Sequence, residues 1–247
     1  MKTSNPAFAT NAFQQYDYAA PGAATMTVQG AVSKTFLLLA ILSATALWSW
    51  SQAADGNVSG ALIGGAAIGG FVVAMITIFR PTVAPWTAPV YAALEGVFLG
   101  ALSQLIEQRY YKGIAIQAVG LTTSTLFVML TLYVTRTIRV TDKLRAGIMA
   151  ATGALCLVYL VTWVLHMFGV PVPFIHAGGK VGILFSLFVV GLAAFNLLLD
   201  FDMIEQGAAS NAPRSMEWYG AFGLMVTLIW LYLEVLRLLS KISTDRR

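Results

Sequence analysis

Seven apolar runs, nearly free of charge, divide this chain and restrict its fold more than anything else in it. They lie at Thr35–Ala54, Gly56–Phe79, about Trp86–Ile106, Gly113–Thr135, Ala146 to about Leu165, Val181–Leu199 and about Trp218–Leu236. A hydrocarbon layer about 30 Å thick is crossed by about 20 apolar residues of helix, and each run is long enough. Hydrophobic residues make up 58% of the 247 positions and charged ones 11%, against about 25% charged in a soluble domain. Successive helices that are apolar all round leave no face for water, which excludes a soluble bundle. The runs are continuous rather than alternating, which excludes a membrane β-barrel. The expectation is an all-α integral membrane protein, a bundle of seven transmembrane helices in a lipid bilayer.

Three sequence regions follow. Residues 1–33 form a polar tail rich in Ala, Thr, Asn and Gln, 34–241 the seven-helix membrane domain, and 242–247 a basic C-terminal tail. The first apolar run starts near Thr35, far from a charged start, as in an uncleaved first helix rather than a secretory signal. Between spans two and three, Pro81 and Pro85 end and restart helices, and Pro89 suits the first turn of span three. Asp55-Gly56-Asn57, Pro171-Val172-Pro173 with Gly178-Gly179, and Asn211-Ala212-Pro213 mark further turns. With a cytoplasmic N-terminus, that side holds Lys2, Lys34, Arg80, Arg136, Arg139, Lys143, Arg145 and Arg214. The other side's loops hold only Arg109, Lys112 and Lys180. This imbalance places the N-terminus on the cytoplasmic side of a multi-pass membrane protein. Arg237, Lys241, Arg246 and Arg247 then fall outside unless span seven turns back. Gly60, Gly64, Gly65, Gly69 and Gly70 in span two, and Gly96 and Gly100 in span three, suit close helix approach.

Other classes find little support. The net charge of +4 is spread as interfacial anchors, with no basic arm for nucleic acid. Cys156 is the single cysteine, so no intramolecular disulfide forms. Ser33-Lys34-Thr35 lacks the glycine that precedes the lysine of a P-loop. His166 and His176 have no carboxylate pair to complete a metal site, and no Gly-x-Ser-x-Gly occurs. No enzymatic activity and no cofactor are expected.

The informative residues are acids at membrane depth, where an ionisable group costs at least about 2–3 kcal/mol on insertion scales. Glu95 sits near the middle of span three beside Gly96 and must face the bundle or a wet cavity. Span six ends Asn196-Leu-Leu-Leu-Asp200-Phe-Asp202-Met-Ile-Glu205. Asn196 and Asp200 share a helix face, with Asp200 at the edge of the apolar core and Asp202 and Glu205 nearer the interface. Glu234 and Arg237 have the spacing of an intrahelical pair. Glu217 opens span seven, where a carboxylate complements a helix N-terminus. Arg80 and Glu217 lie on the same side as Asp200. If the helix ends meet, Arg80 favours the ionised form of Asp200 and Glu217 opposes it.

Three segments together carry a family resemblance. Tyr91-Ala-Ala-Leu-Glu95-Gly96-Val-Phe-Leu-Gly100, Leu199-Asp200-Phe201-Asp202-Met-Ile-Glu205 and Leu231-Tyr232-Leu233-Glu234-Val-Leu-Arg237-Leu-Leu occur in that order on the third, sixth and seventh spans. In them the chain resembles the Bax inhibitor, or transmembrane Bax-inhibitor-motif, family over about residues 22–241, most closely its bacterial members. The resemblance implies six helices around a central seventh. It also implies a pH-sensitive calcium leak, in which an aspartate ending span six shares a proton with one on span seven. Asp200 matches the first. The second falls near Thr227, which is not acidic, a departure that leaves Glu217 and Glu95 as the available acidic partners.

The expected function is a cation leak, with calcium as the permeant ion, using Asp200 as an oxygen ligand together with Glu95. The alternative is a regulatory membrane protein that modulates a membrane protease or a stress response through helix contacts. The glycine faces and the polar tail suit that second role.

Overall fold

The computed structural model describes residues 24–168 and 179–245. The loop that holds Pro171, Pro173, His176 and Gly178, most of the polar tail, and Arg246 and Arg247 lie outside them. Among the described residues seven helices are long and apolar enough to cross a membrane. They are α1 (Val28–Ala54), α2 (Gly60–Phe79), α3 (Ala84–Arg109), α4 (Ile114–Val134), α5 (Asp142–Met167), α6 (Lys180–Ala209) and α7 (Met216–Asp245). The protein is an all-α membrane bundle. Exposed Phe36, Trp48, Phe71, Phe127, Leu157 and Leu184 give it an apolar exterior, as lipid requires.

The helix limits have local causes. Thr27 caps α1, its hydroxyl accepting from the Gly30 amide at 2.9 Å, so α1 starts well before Thr35. Ser59 and Thr141 cap α2 and α5 in the same way, satisfying amides that have no partner in the first turn. Gly56 turns the chain after α1 with φ +74°. Pro81–Val83 form a 3₁₀ turn that runs directly into α3. Pro89 consequently lies inside α3 rather than in its first turn. α6 continues past Leu199 to Ala209, so Asp200, Asp202 and Glu205 are all helical.

The chain forms two compact units. One comprises the chain through Ala101 with Asp202–Met225; the other comprises Leu102–Phe201 with Val226 onward. In the first, α1 and α3 nearly touch. A Cβ on Gly96 would stand 2.0 Å from Thr45 Oγ1, and one on Gly100 would stand 2.1 Å from the Ala46 carbonyl. Ser49, fully buried, donates across the same contact to the Val97 carbonyl at 2.7 Å. Gly70 of α2 packs on Glu95, whereas Gly60, Gly64 and Gly65 face open space. In the second unit, Ile148 and Leu155 of α5 and Val189 and Leu192 of α6 form a core, flanked by Tyr159, Phe185 and Trp230. Among the described spans α7 is the most enclosed, 56% buried along its apolar stretch against 12% for α5.

Candidate functional site

Asp200 comes to its place because α6 runs straight through the apolar-to-polar boundary read at Leu199. Its carboxyl meets the hydroxyl of Thr227 on α7 by a hydrogen bond. Thr227 is itself buried. The Oδ2 atom of Asp200 is sealed from solvent and has no hydrogen-bond partner among the described residues. A buried acceptor left unsatisfied costs about 1–3 kcal/mol, more if charged, so such an atom calls for an explanation in function. One turn away, Asn196 donates to Thr152 of α5 and to the Leu192 carbonyl, both at 2.9 Å. This anchors α6 beside Asp200. Asp202 points elsewhere and accepts from Gln206 at 2.6 Å.

The other expected residues have different partners. Sequence reasoning set Glu217 and Arg80 against Asp200. Glu217, almost fully buried, takes a hydrogen bond from the Thr27 amide at 3.0 Å and one from the Thr27 hydroxyl at 2.9 Å. It also forms an ion pair with Lys34 of α1. Its role is to bind two chain segments rather than only to complement its own helix end. The adjoining chain pairs as well, with Met26 donating to the Ala212 carbonyl at 2.7 Å and Arg214 to the Ala24 carbonyl at 3.2 Å. Arg80 is the exposed C-cap of α2. Glu95, half-buried, is hydrogen-bonded by Tyr91 one turn earlier on α3 and lies against Gly70 of α2.

The expected pair on α7 forms and gains a partner from α5, and one buried polar group escaped the sequence reading. The Glu234–Arg237 pair forms at 2.9 Å, and it is joined by Tyr159 of α5, whose hydroxyl lies 3.2 Å from Glu234 Oε1 and 2.8 Å from Arg237 Nη1. Lys241, counted above among tail charges, is a buried residue of α7 whose ammonium donates to Ser186 at 2.9 Å and to the Gly182 carbonyl at 3.1 Å. The distance of Lys34 from Glu217 in sequence, and the length of α7, hid the Lys34–Glu217 and Lys241–Ser186 contacts.

A seven-span membrane protein with a buried carboxyl, one oxygen unsatisfied, between its sixth and seventh helices is the class that fold and site define. The chain matches the model of the Bax inhibitor 1 like family over residues 5–244, and it belongs to that family. The family is in general one of non-enzymatic membrane proteins. No curated protein matches the chain. Thr227 of α7 is the residue that Asp200 meets.

Proposed function

We propose that this protein is a cation leak of Bax-inhibitor type, with calcium as a permeant ion and the Asp200–Thr227 contact as its narrow point. The observation that carries the reading is the sealed, partnerless Oδ2 of Asp200 beside the Thr227 hydroxyl. Hard cations are held by six to eight oxygens in a resident calcium site. Among the described residues no three His, Cys, Asp or Glu side chains gather to hold a metal. One carboxylate with one hydroxyl gives a brief contact, which suits passage, since conduction requires binding weak enough to release. The reading includes a pH response. A carboxyl next to a hydroxyl titrates as a single group, without the repulsion that couples two carboxylates. Opening is then governed by one proton on Asp200.

The test is flux. Purified protein in liposomes loaded with a calcium-sensitive dye should admit calcium faster than protein-free liposomes of the same lipid. Equal rates in the two preparations would remove the leak and favour a regulatory role through helix contacts. The glycines of α2 that face open space support that second role: Gly60, Gly64 and Gly65 would let a partner helix approach closely.

A further inference from the structure

Within the first unit, the segment just ahead of α1 is held to the turn that joins α6 to α7. Thr25 stands opposite Pro213 in an antiparallel bridge, and the Met26 and Arg214 amides donate across it to Ala212 and Ala24. The Met26 side chain is 3% exposed. A Cβ on Gly220 of α7 would stand 3.5 Å from Met26 and 3.0 Å from Ile204 of α6. Met26 therefore packs where α6 and α7 approach each other through a glycine. Ile204 lies one turn beyond Asp200 on the same face of α6, and Gly220 lies seven residues before Thr227 on one stripe of α7. Those steps are about 6 Å and about 10 Å of helix. Both helices continue from this unit into the other.

A bridge of this size has little stability of its own. One carboxylate fastens it. Glu217, 2% exposed, accepts from the amide and the hydroxyl of Thr27 and pairs with Lys34. The Lys34 ammonium also lies over the Trp218 ring, 5.7 Å from its centroid. Gly30 leaves the space, since a Cβ there would overlap the carboxylate. Packing alone does not call for this arrangement. An apolar side chain at position 217 would fill the site without burying charge, and a buried ion pair is weak evidence of stability. A short bridge secured at one charged side chain has the form of a contact that opens locally.

We propose that residues 24–27 are a strap that closes the α6–α7 hairpin, with Glu217 as its fastening, and that the leak conducts when the strap lets go. The proposal rests on the leak reading above. With the strap in place, α6 and α7 are clasped one turn from Asp200, and the Asp200–Thr227 contact stays shut. With the strap released, the turn alone joins the two helix ends, and they part.

The experiment uses the full chain with Thr25→Cys and Pro213→Cys, the exposed Cys156 being replaced by serine. Facing residues of an antiparallel bridge have Cα atoms about 4.5–5.5 Å apart, within the span of a disulfide. Oxidation ties the strap down, and a reductant frees it in the same folded molecule. Calcium entry into proteoliposomes should fall about fivefold or more on oxidation and return with the reductant, and Glu217→Gln should conduct about fivefold faster than wild type. The single-cysteine proteins should ignore both treatments. Failure of the two cysteines to cross-link overturns the pairing itself. Oxidised protein that conducts as fast as its reduced form, or faster, overturns the strap and leaves the leak, whether or not Glu217→Gln folds. A folded Glu217→Gln protein at the wild-type rate overturns Glu217 as the fastening. If no preparation conducts, the leak reading fails, and hydrogen exchange over residues 204–225 judges the strap. Slower exchange in the oxidised form than in the reduced one supports it, and equal exchange overturns it.

Discussion

Glu95 and Glu217 are acids that lipid would reject, and each is satisfied by its own means. Glu95 has the Tyr91 hydroxyl one turn away and Gly70 beneath it. Glutamine keeps the shape and a hydrogen-bond acceptor for Tyr91, so Glu95→Gln should fold as wild type. Glu95→Ala should lose about 1–3 kcal/mol of stability, the cost of an abandoned buried polar contact. Thermal unfolding in detergent measures the difference, and equal midpoints for the two variants would make Glu95 a passive position. Glu217 offers a second comparison. Lys34, 16% exposed at its side chain, is the near partner, while Arg214, 69% exposed, stands 3.9 Å away. Lys34→Met strands a buried carboxylate, a loss of about 3–5 kcal/mol in a fully buried pair and somewhat less here. Arg214→Met removes an exposed partner worth about 0–1 kcal/mol. Comparable destabilisation by the two changes would contradict this account of the Glu217 contacts.

At the scale of the helix, the glycines divide into those that bring helices together and those that do not. Gly96 and Gly100 set α3 against the backbone of α1 at distances no side chain tolerates, whereas Gly64 faces open space. Gly100→Val should therefore lower the unfolding midpoint sharply or prevent folding, and Gly64→Val should leave it near wild type. A reversed order would mean that α2, not α1, is the helix packed through glycine. The existence of these helices was legible because lipid demands long uncharged runs. Their ends were less so. α6 and α7 carry charges inside the helix, at Asp200, Asp202, Glu205, Arg237 and Lys241, and a reading based on charge-free windows stops at the first of them. Pro89 misled in the same way, because a proline suited to a first turn sits inside a helix that starts earlier, at Ala84.

At the scale of the molecule, the candidate site was partly legible. Asp200 stood out because an acid at the edge of an apolar run is expensive. Its partner did not, because Thr227 is an unremarkable residue in an apolar helix until α6 is laid beside α7. Lys34 with Glu217 and Lys241 with Ser186 join helices far apart in sequence, and no spacing rule reaches that far. Orientation in the membrane rests on the excess of Lys and Arg on one side, and it is open to direct test. Cysteine labelling at Lys143, after replacement of the exposed Cys156, should fail from outside intact cells and succeed after permeabilisation. Labelling from outside would reverse the assigned topology. Thr227→Asp tests the site at the same scale. A second carboxyl facing Asp200 makes a coupled pair that releases its protons in two steps, so the pH profile of flux should broaden or split. An unchanged profile would mean that Thr227 does not face the carboxyl that governs flux.

The central claim is that one carboxyl, Asp200, governs a cation leak. Calcium flux into proteoliposomes across a series of pH values, wild type beside Asp200→Asn, tests it most directly. Wild-type flux should change with pH, and Asp200→Asn should carry calcium at a rate that pH no longer alters. A folded Asp200→Asn protein with the wild-type pH dependence would contradict the account.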